Sequence, residues 1–300
     1  MNLRIRTHPY RRDEVSTALI ALLPAIIVFG VFNIIPLGYT AYLSLLKWDG
    51  FSIERQFVGF QNFLELLSST YLWNSLKATI YYTLGVIGLS LPFGLLVAIL
   101  LNSGLKGQVA FRTLYFLPVV TSTVAASMVW KLMLDPGSGY INVILREIGF
   151  SPPAWLRDTH WAMPAVILLG VWKRIGFNMV IYLAGLQSIP REYYEAARVD
   201  GATSLAQIRY ITIPLLAPTT ALLIVMAMID SFLLFDQVFV LTGGGPAGAT
   251  DVIGFLLYRY AFRYFDLGKA SAIAWIMFIF IASVTLIQWR LSRFGTKEIA

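Results

Sequence analysis

The chain reads EYYEAARVDGATSLAQIRYITIP over residues 192–214, and this stretch decides how the protein is organised. It carries acidic and basic residues and lies between two long apolar runs, 161–189 and 211–241. A charged segment between apolar runs of this length has to leave the membrane that the runs cross. We therefore predict a loop at a membrane face over residues 190–213, with helical structure of its own.

The composition excludes an ordinary soluble domain. Hydrophobic residues make up 58% of the chain, charged residues 13%, and the mean hydropathy is +0.71. A soluble domain carries about 25% charged residues. The absence of cysteine excludes a disulfide framework, a thiolate zinc site and a thiol nucleophile. The net charge of +7 does not indicate a nucleic-acid partner, because the basic residues mostly lie at the ends of apolar runs, where they set topology.

Six apolar runs are long enough to cross a bilayer, and backbone amides in lipid need partners within their own segment, so we expect each run to be a helix. The predicted fold class is all-α, a polytopic membrane protein with six transmembrane helices. We divide the chain into residues 1–75 (leader, first helix and external loop), 76–290 (a core with five helices) and 291–300 (a tail). The runs are 15–46, 78–101, 113–134, 161–189, 211–241 and 270–289.

Lysine and arginine counts predict the orientation. The leader has four, residues 102–112 two, residues 187–213 three and the tail from Arg290 three. The three alternate loops have two each despite their greater total length. Because basic residues favour the cytoplasmic side, both termini and the 190–213 loop are predicted to be cytoplasmic. The leader, with Arg4, Arg6, Arg11 and Arg12, is interpreted as retained rather than cleaved.

The 190–213 loop is predicted to contain two short helices. Pro190 suits a first helical turn, and Gly201 can take the left-handed conformation that ends a helix. Ser204 and Gln207 have capping-box spacing for the second helix.

The same loop offers a contact surface for another protein. Ala196 and Ala197 are small enough to let a partner approach the backbone, and Glu195 and Asp200 supply charge beside Gly201. From spacing alone, an amphipathic helix that merely lies on lipid is an equal alternative.

Apart from Lys131 near the end of the third run, four charged residues interrupt the apolar runs: Lys173, Arg174, Asp230 and Asp236. A charge at mid-bilayer costs about 2.5–3.5 kcal/mol on insertion scales, and such groups usually face a cavity or pair with one another. A purely structural salt bridge remains the alternative, as does snorkelling for Asp236 near the end of its run.

The spacing E-A-A, three residues, G, nine residues, I-x-[LI]-P resembles the signature loop of permease subunits of bacterial binding-protein-dependent ABC importers. The resemblance extends along nearly the whole chain and is strongest to the carbohydrate-uptake branch, which contains maltose and glycerol-phosphate importers. Ile213 replaces the more usual leucine, a conservative change. The further matching segments are FVGFQNF (57–63), RTLYFLP (112–118), LAGLQSIP (183–190), LTGGGP (241–246) and YAFRYFDLG (260–268).

The resemblance implies a permease fold in the bacterial inner membrane that translocates a carbohydrate or related polyol or glycoside. It implies a second homologous permease, two ATP-binding subunits that hold ATP and Mg²⁺, and an external solute-binding protein. The ATPase subunits would contact Glu195, Ala196, Ala197, Asp200 and Gly201. By position relative to maltose-type relatives, it also implies a mid-membrane substrate path formed by Lys173, Arg174, Phe177, Ala227, Asp230, Ser231 and Leu234.

Other functions find less support in the residues. An ion-coupled secondary transporter could use Asp230 and Lys173 as a relay, and is the main alternative. A membrane enzyme would need a catalytic constellation, and neither His8 nor His160 is placed beside a nucleophile or a metal-ligand set. No cofactor is expected in this chain, because Gly268-Lys269 is followed by Ala270 where a phosphate-binding loop needs serine or threonine.

Overall fold

A computed structural model of the protein describes residues 12–104 and 107–295. The predicted leader residues Arg4, Arg6 and Arg11, together with His8 and tail residues 296–300, lie outside the described residues. The helices are α1 (Arg12–Phe29), α2 (Ile35–Ser44), α3 (Gln61–Leu67), α4 (Thr70–Asn102), α5 (Gln108–Val120), α6 (Thr123–Met133), α7 (Tyr140–Glu147), α8 (Ala162–Gln187), α9 (Arg191–Val199), α10 (Ser204–Gln207), α11 (Ile213–Leu215), α12 (Ala217–Phe232), α13 (Asp236–Leu241), α14 (Ile253–Phe262) and α15 (Leu267–Gly295).

Non-helical elements are small in the described part of the chain. Strands β1 (Leu46–Lys47) and β2 (Gln56–Phe57) form an antiparallel hairpin in which Leu46 faces Phe57. π-Helical turns cover Gly30–Ile34 and Ile208–Thr212, and a 3₁₀ turn covers Trp155–Arg157. The all-α prediction is confirmed.

The described part of the chain contains six candidate membrane spans, four of them continuous and two bent. The continuous spans are Leu19–Ser44, Thr70–Asn102, Ala162–Gln187 and Leu267–Gln288. Gln108–Val120 and Thr123–Met133 meet at 97°, and Ser204–Leu215 and Ala217–Phe232 meet at 63°. The number of spans matches the sequence prediction if each bent pair counts as one, but the third and fifth are not single straight helices.

The third span bends because a new helix begins inside it. Thr121 has an extended backbone with ψ 144°, and the Ser122 side chain accepts a hydrogen bond from the Ala125 amide to cap α6. A capping serine accepts a hydrogen bond from a backbone amide that would otherwise be unpaired at the start of a helix. It therefore lowers the free-energy cost of a break in an apolar run. The prediction of one continuous helix over 113–134 missed this local signal.

The fifth span also ends earlier than predicted. Helix α12 stops at Phe232, and Asp236 opens the separate short helix α13. The carbonyl oxygen of Leu234, in the break, lies only 2.5 Å from the position that a Cβ on Gly254 would take, so the break lets α14 pack closely here. The prediction that Asp236 interrupts a membrane helix is therefore wrong. Asp236 lies in the first turn of α13, where a carboxylate is favourable.

Helix α8 is the centre of the structure and packs against α4, α5, α12 and α13. Small residues allow the closest approaches, as expected for helices in lipid. A Cβ on Gly176 would lie 2.7 Å from the carbonyl carbon of Tyr115 in α5, and one on Gly94 would lie 2.6 Å from the Asn178 Cβ. Asn178 also donates a hydrogen bond to Ser90 Oγ at 3.0 Å, which ties α8 to α4.

The N-terminal span lies at the periphery. None of the residues in the most apolar stretch of this span is buried. Helix α2 contacts the rest of the protein mainly through α15. The predicted boundary between residues 75 and 76 falls inside α4, because that helix begins at Thr70. The division into three segments stays a prediction.

Candidate functional site

A cavity of about 370 Å³ lies beside the midpoint of α8 and is the first candidate site. Arg174 stands halfway along α8, so the cavity lies near mid-membrane if α8 crosses the bilayer. Six of the seven predicted path residues line it: Lys173, Arg174, Phe177, Asp230, Ser231 and Leu234.

Arg174 and Asp230 form an ion pair between α8 and α12, through Arg174 Nη1 and Asp230 Oδ2. The arginine side chain is 11% exposed and the aspartate side chain 64% exposed. The guanidinium carbon lies 5.7 Å from the ring centroid of Phe177. Arg174 Nε and Nη2 are buried and have no hydrogen-bond partner among the described residues. The pair thus neutralises the charge of Arg174 but leaves the N–H groups of Nε and Nη2 without an acceptor.

Lys173 does not pair with Asp230. Its ammonium group donates to the carbonyl oxygen of Thr121 at 2.7 Å. That carbonyl is available because Thr121 lies at the bend between α5 and α6. The relay of Asp230 and Lys173 that a secondary transporter would need is therefore not formed, and Arg174 is the cation that pairs with Asp230.

On α12, the residues that line the cavity differ in part from the predicted path residues. Ala227 is fully buried and does not line the cavity, whereas Met226, four residues before Asp230, does. Ser231 is also largely buried, and its hydroxyl donates to the Ala227 carbonyl at 2.7 Å. Leu234 reaches the cavity from the break after α12, so it does not share a continuous helical face with Asp230.

Several lining residues escaped the sequence analysis. The hydroxyl of Tyr82 in α4 donates to Gln237 Oε1 in α13 at 3.3 Å, and both side chains line the cavity. Gln237 is a polar residue in an apolar run and offered a signal of the same kind as Asp230. Tyr82, Thr123 and Gly170 carry no such signal, because aromatic, hydroxyl and small residues are ordinary in membrane helices.

The second candidate site is the helical loop that follows α8. Glu195, Ala196 and Asp200 are exposed, and Ala197 is half-buried. The two predicted short helices are present as α9 and α10, and α10 continues into the π-helical turn. The loop thus presents the predicted contact residues on its surface.

Gly201 ends α9 in the left-handed conformation, with φ +77°, as predicted. The Gly201 amide donates to the Arg198 carbonyl at 3.1 Å, and the Ala202 amide donates to the Ala197 carbonyl at 2.8 Å. These two bonds form a Schellman motif. It turns the chain sharply between α9 and α10.

The predicted capping box on Ser204 is wrong by one residue. Thr203 caps α10, and its hydroxyl accepts from the Ala206 amide at 3.3 Å. The Gln207 side chain donates instead to the Ala202 carbonyl at 3.2 Å. Threonine and serine both serve as caps, so the spacing did not distinguish them.

Tyr194 anchors the loop to the membrane-spanning part. Its hydroxyl lies 3.0 Å from Thr212 Oγ1, at the start of the fifth span, and its ring packs against the core around α4 and α8. A groove of about 600 Å³ separates the loop from the ends of α4 and α8, with Arg191, Glu195 and Arg198 in its lining. The loop is held at its base while Glu195 stays accessible.

The described residues contain no group of three or more His, Asp or Glu side chains that could hold a metal ion. His160 lies 3.3 Å from Asp158 in an exposed turn.

Comparison with known proteins decides the family. The model of the binding-protein-dependent transport system inner membrane component matches residues 90–294. The chain belongs to this family. It is a multi-pass inner-membrane permease, and the predicted ABC importer permease fold is confirmed.

Relatives of this permease resemble it along nearly its whole length. It is 36% identical to the trehalose/maltose transport system permease protein MalF of Thermococcus litoralis, over 96% of this chain and 97% of the relative. It is 32% identical to the sn-glycerol-3-phosphate transport system permease protein UgpA of Yersinia pestis, over 90% and 91%.

A solved structure shares the fold of this permease. It is that of a bacterial alginate ABC transporter in complex with alginate pentasaccharide-bound periplasmic protein. The TM-score is 0.82 at 28% identity, and the match covers 95% of this chain and 96% of the other. The family does not favour the alternative of an ion-coupled secondary transporter.

Proposed function

We propose that this permease is the translocation subunit of an ATP-driven importer for a carbohydrate or a related polyol or glycoside. The support is the family together with the names of its relatives, which transport trehalose or maltose, glycerol phosphate and alginate. In this proposal the chain moves solute and catalyses no reaction itself.

The functional complex contains a second homologous permease, two ATP-binding subunits and an external solute-binding protein. ATP and Mg²⁺ are bound by the ATP-binding subunits, because this chain's one Gly-Lys pair near a span, Gly268-Lys269, lacks the serine or threonine that a phosphate-binding loop requires. The largely exposed first span offers its apolar surface to lipid and to the second permease. Both termini and the 190–213 loop face the cytoplasm in this arrangement.

The observation that carries the proposal is the direct connection of the exposed loop to α8. Only a short turn, residues 188–190, separates α8 from α9, and Tyr194 fixes α9 to the base of the fifth span. Gln187 lies thirteen positions after Arg174 in the same continuous helix, a length of about 20 Å. A force that an ATPase subunit applies at Glu195 therefore passes through α9 and the short turn into α8, and rocks α8 against α12.

Alternating access follows from this geometry. The Arg174–Asp230 pair links the two helices that border the cavity, so a tilt of α8 relative to α12 changes both the pair and the opening of the cavity. Solute delivered by the binding protein enters on the external side and leaves to the cytoplasm past the path residues.

Disulfide cross-linking tests the coupling contact, and because this chain has no native cysteine each introduced thiol is unique within it. Glu195→Cys in the assembled complex should cross-link to a cysteine placed on the surface of the ATP-binding subunit. Glu147→Cys, exposed on α7, is the matched control and should not. Equal cross-linking of both variants, or none at Glu195 in an assembled complex, would refute the docking role.

A further inference from the structure

The charges that line the mid-membrane cavity do not balance. Lys173 and Arg174 contribute two positive charges and Asp230 one negative charge, and no other lining residue is a lysine, arginine, aspartate or glutamate. The lining therefore carries one excess positive charge. Keeping a charge at this depth is costly, and such groups usually face a pathway or a partner.

Arg174 retains unused hydrogen-bonding capacity that points to a second anion. Its guanidinium group has five N–H donors, and the side chain is 11% exposed. Nη1 meets Asp230, while Nε and Nη2 have no acceptor among the described residues. An unmade hydrogen bond on a buried charged group costs more than a typical bond contributes. The geometry of an arginine fork matches a carboxylate or a phosphate, which it binds in bidentate fashion.

Lys173 adds to this anion preference. Its ammonium group meets the neutral carbonyl of Thr121 rather than a carboxylate, so its charge is solvated but not balanced. The three donors of a lysine leave capacity for a further acceptor.

Asp230 has the properties of a replaceable partner. Its side chain is 64% exposed, and it lies two residues before the end of α12 at Phe232. Because only Arg174 of the pair is buried, Asp230 can leave it without becoming a buried unpaired charge itself, provided that another anion takes its place at the guanidinium group. Arg174, by contrast, is held in place by its burial and by packing beside Phe177.

We propose that the solute of this permease carries an anionic group, a carboxylate or a phosphate, which binds Arg174 with Lys173 beside it. Asp230 neutralises Arg174 when the cavity holds no solute and yields to the anionic group when solute arrives. The inference rests on the proposed carbohydrate import and specifies its substrate as an acidic sugar. The cavity volume of about 370 Å³ lies within the usual range for small-molecule sites.

The first test compares solutes. The complete transporter with its binding protein is reconstituted in proteoliposomes, and ATP-dependent uptake is measured for neutral oligosaccharides, oligouronates of equal length and sugar phosphates. We expect uptake of a uronate or a sugar phosphate at least tenfold above the best neutral sugar, and the two anionic panels distinguish carboxylate from phosphate. Preference for a neutral sugar would overturn this inference and leave carbohydrate import standing. Uptake of no carbohydrate would overturn the proposed function as well.

The second test uses variants of the pair. Arg174→Gln should lower uptake of the anionic solute by about ten- to a hundredfold, the effect of losing a hydrogen-bonded charge partner. Asp230→Asn should raise the ratio of anionic to neutral uptake, because it removes the competing carboxylate. Lys77→Gln, exposed on α4 and outside the cavity, is the control and should transport like the unmodified protein.

The double variant Arg174→Gln/Asp230→Asn separates binding from assembly. It removes both charges, so it leaves no unpaired ion to destabilise the helices. We expect normal assembly with anionic uptake still reduced by about ten- to a hundredfold. Recovery of anionic uptake in the double variant would show that Arg174 serves only to pair with Asp230, and would overturn the inference.

Discussion

Substitutions of Gly201 test the docking loop, because they separate backbone strain from contact with a partner. Gly201 has φ +77°, and within the described chain nothing lies within 4 Å of an added Cβ. A side chain here therefore costs only the left-handed strain, about 1–2 kcal/mol for an ordinary residue, which corresponds to a factor of about 5–30 in population. Asparagine and aspartate tolerate this conformation, whereas a β-branched residue does not.

The series is Gly201→Asn, Gly201→Asp and Gly201→Val. Asparagine and aspartate have the same shape, so the first two variants differ only in charge. In the isolated permease this difference is small, because position 201 is exposed. In a loop docked into a cleft of the ATPase subunit, the added charge beside Asp200 would be buried without a partner, which is strongly unfavourable.

The assay is recovery of the ATPase subunit with the affinity-purified permease, followed by solute-stimulated ATP hydrolysis. We expect near-normal values for Gly201→Asn, a reduction of about 5- to 30-fold for Gly201→Val and a clear loss for Gly201→Asp. Membrane insertion should be unchanged in all three. Equal behaviour of the Asn and Asp variants would refute burial of the loop in a partner, and normal activity of the Val variant would refute the need for the left-handed turn.

Three further predictions concern packing, anchoring and topology. Gly176→Ala would place a methyl group 2.7 Å from the Tyr115 carbonyl carbon, and a thermal unfolding assay should show a destabilisation of about 1–3 kcal/mol. The control variant Gly30→Ala, which has open space around it, should leave the stability unchanged. Tyr194→Phe removes the contact with Thr212 Oγ1 and should cost about 0.5–1.5 kcal/mol, seen as faster proteolysis within the 190–213 loop; unchanged proteolysis would show that the contact does not hold the loop. Reporter fusions at Gly244 and Gly295 should report external and cytoplasmic sides respectively, and the same side for both would contradict the predicted orientation.

Sequence periodicity and charge predicted the helices and the loop because those features are local. The apolar runs correspond to the spans, and Gly201 takes the conformation that only its lack of a Cβ makes cheap. The break at Thr121 was missed because the apolar pattern does not show the cap that Ser122 provides, and the break after Phe232 because close packing against Gly254 is not visible in that pattern. The short helix opened by Asp236 could have been recognised from its acidic first residue.

The sequence predicted which charged residues form the candidate site, but not which of them pair with each other. Lys173, Arg174 and Asp230 were recognised because they are charged residues within apolar runs. Charged residues inside membrane spans are rare and usually have a role. Which cation meets Asp230 depends on the rotation of α8 against α12, and a one-residue difference in that rotation exchanges Lys173 for Arg174. The same rotation explains why Met226 and not Ala227 lines the cavity.

ATP-dependent uptake by the reconstituted complex tests the central claim most directly. Proteoliposomes would contain this permease with its second permease and ATP-binding subunits, and would receive the binding protein outside and ATP inside. The account predicts solute uptake that requires both ATP and the binding protein and that persists when ionophores abolish ion gradients. Uptake by this chain alone, driven by a proton or sodium gradient and lost in Asp230→Asn, would contradict it.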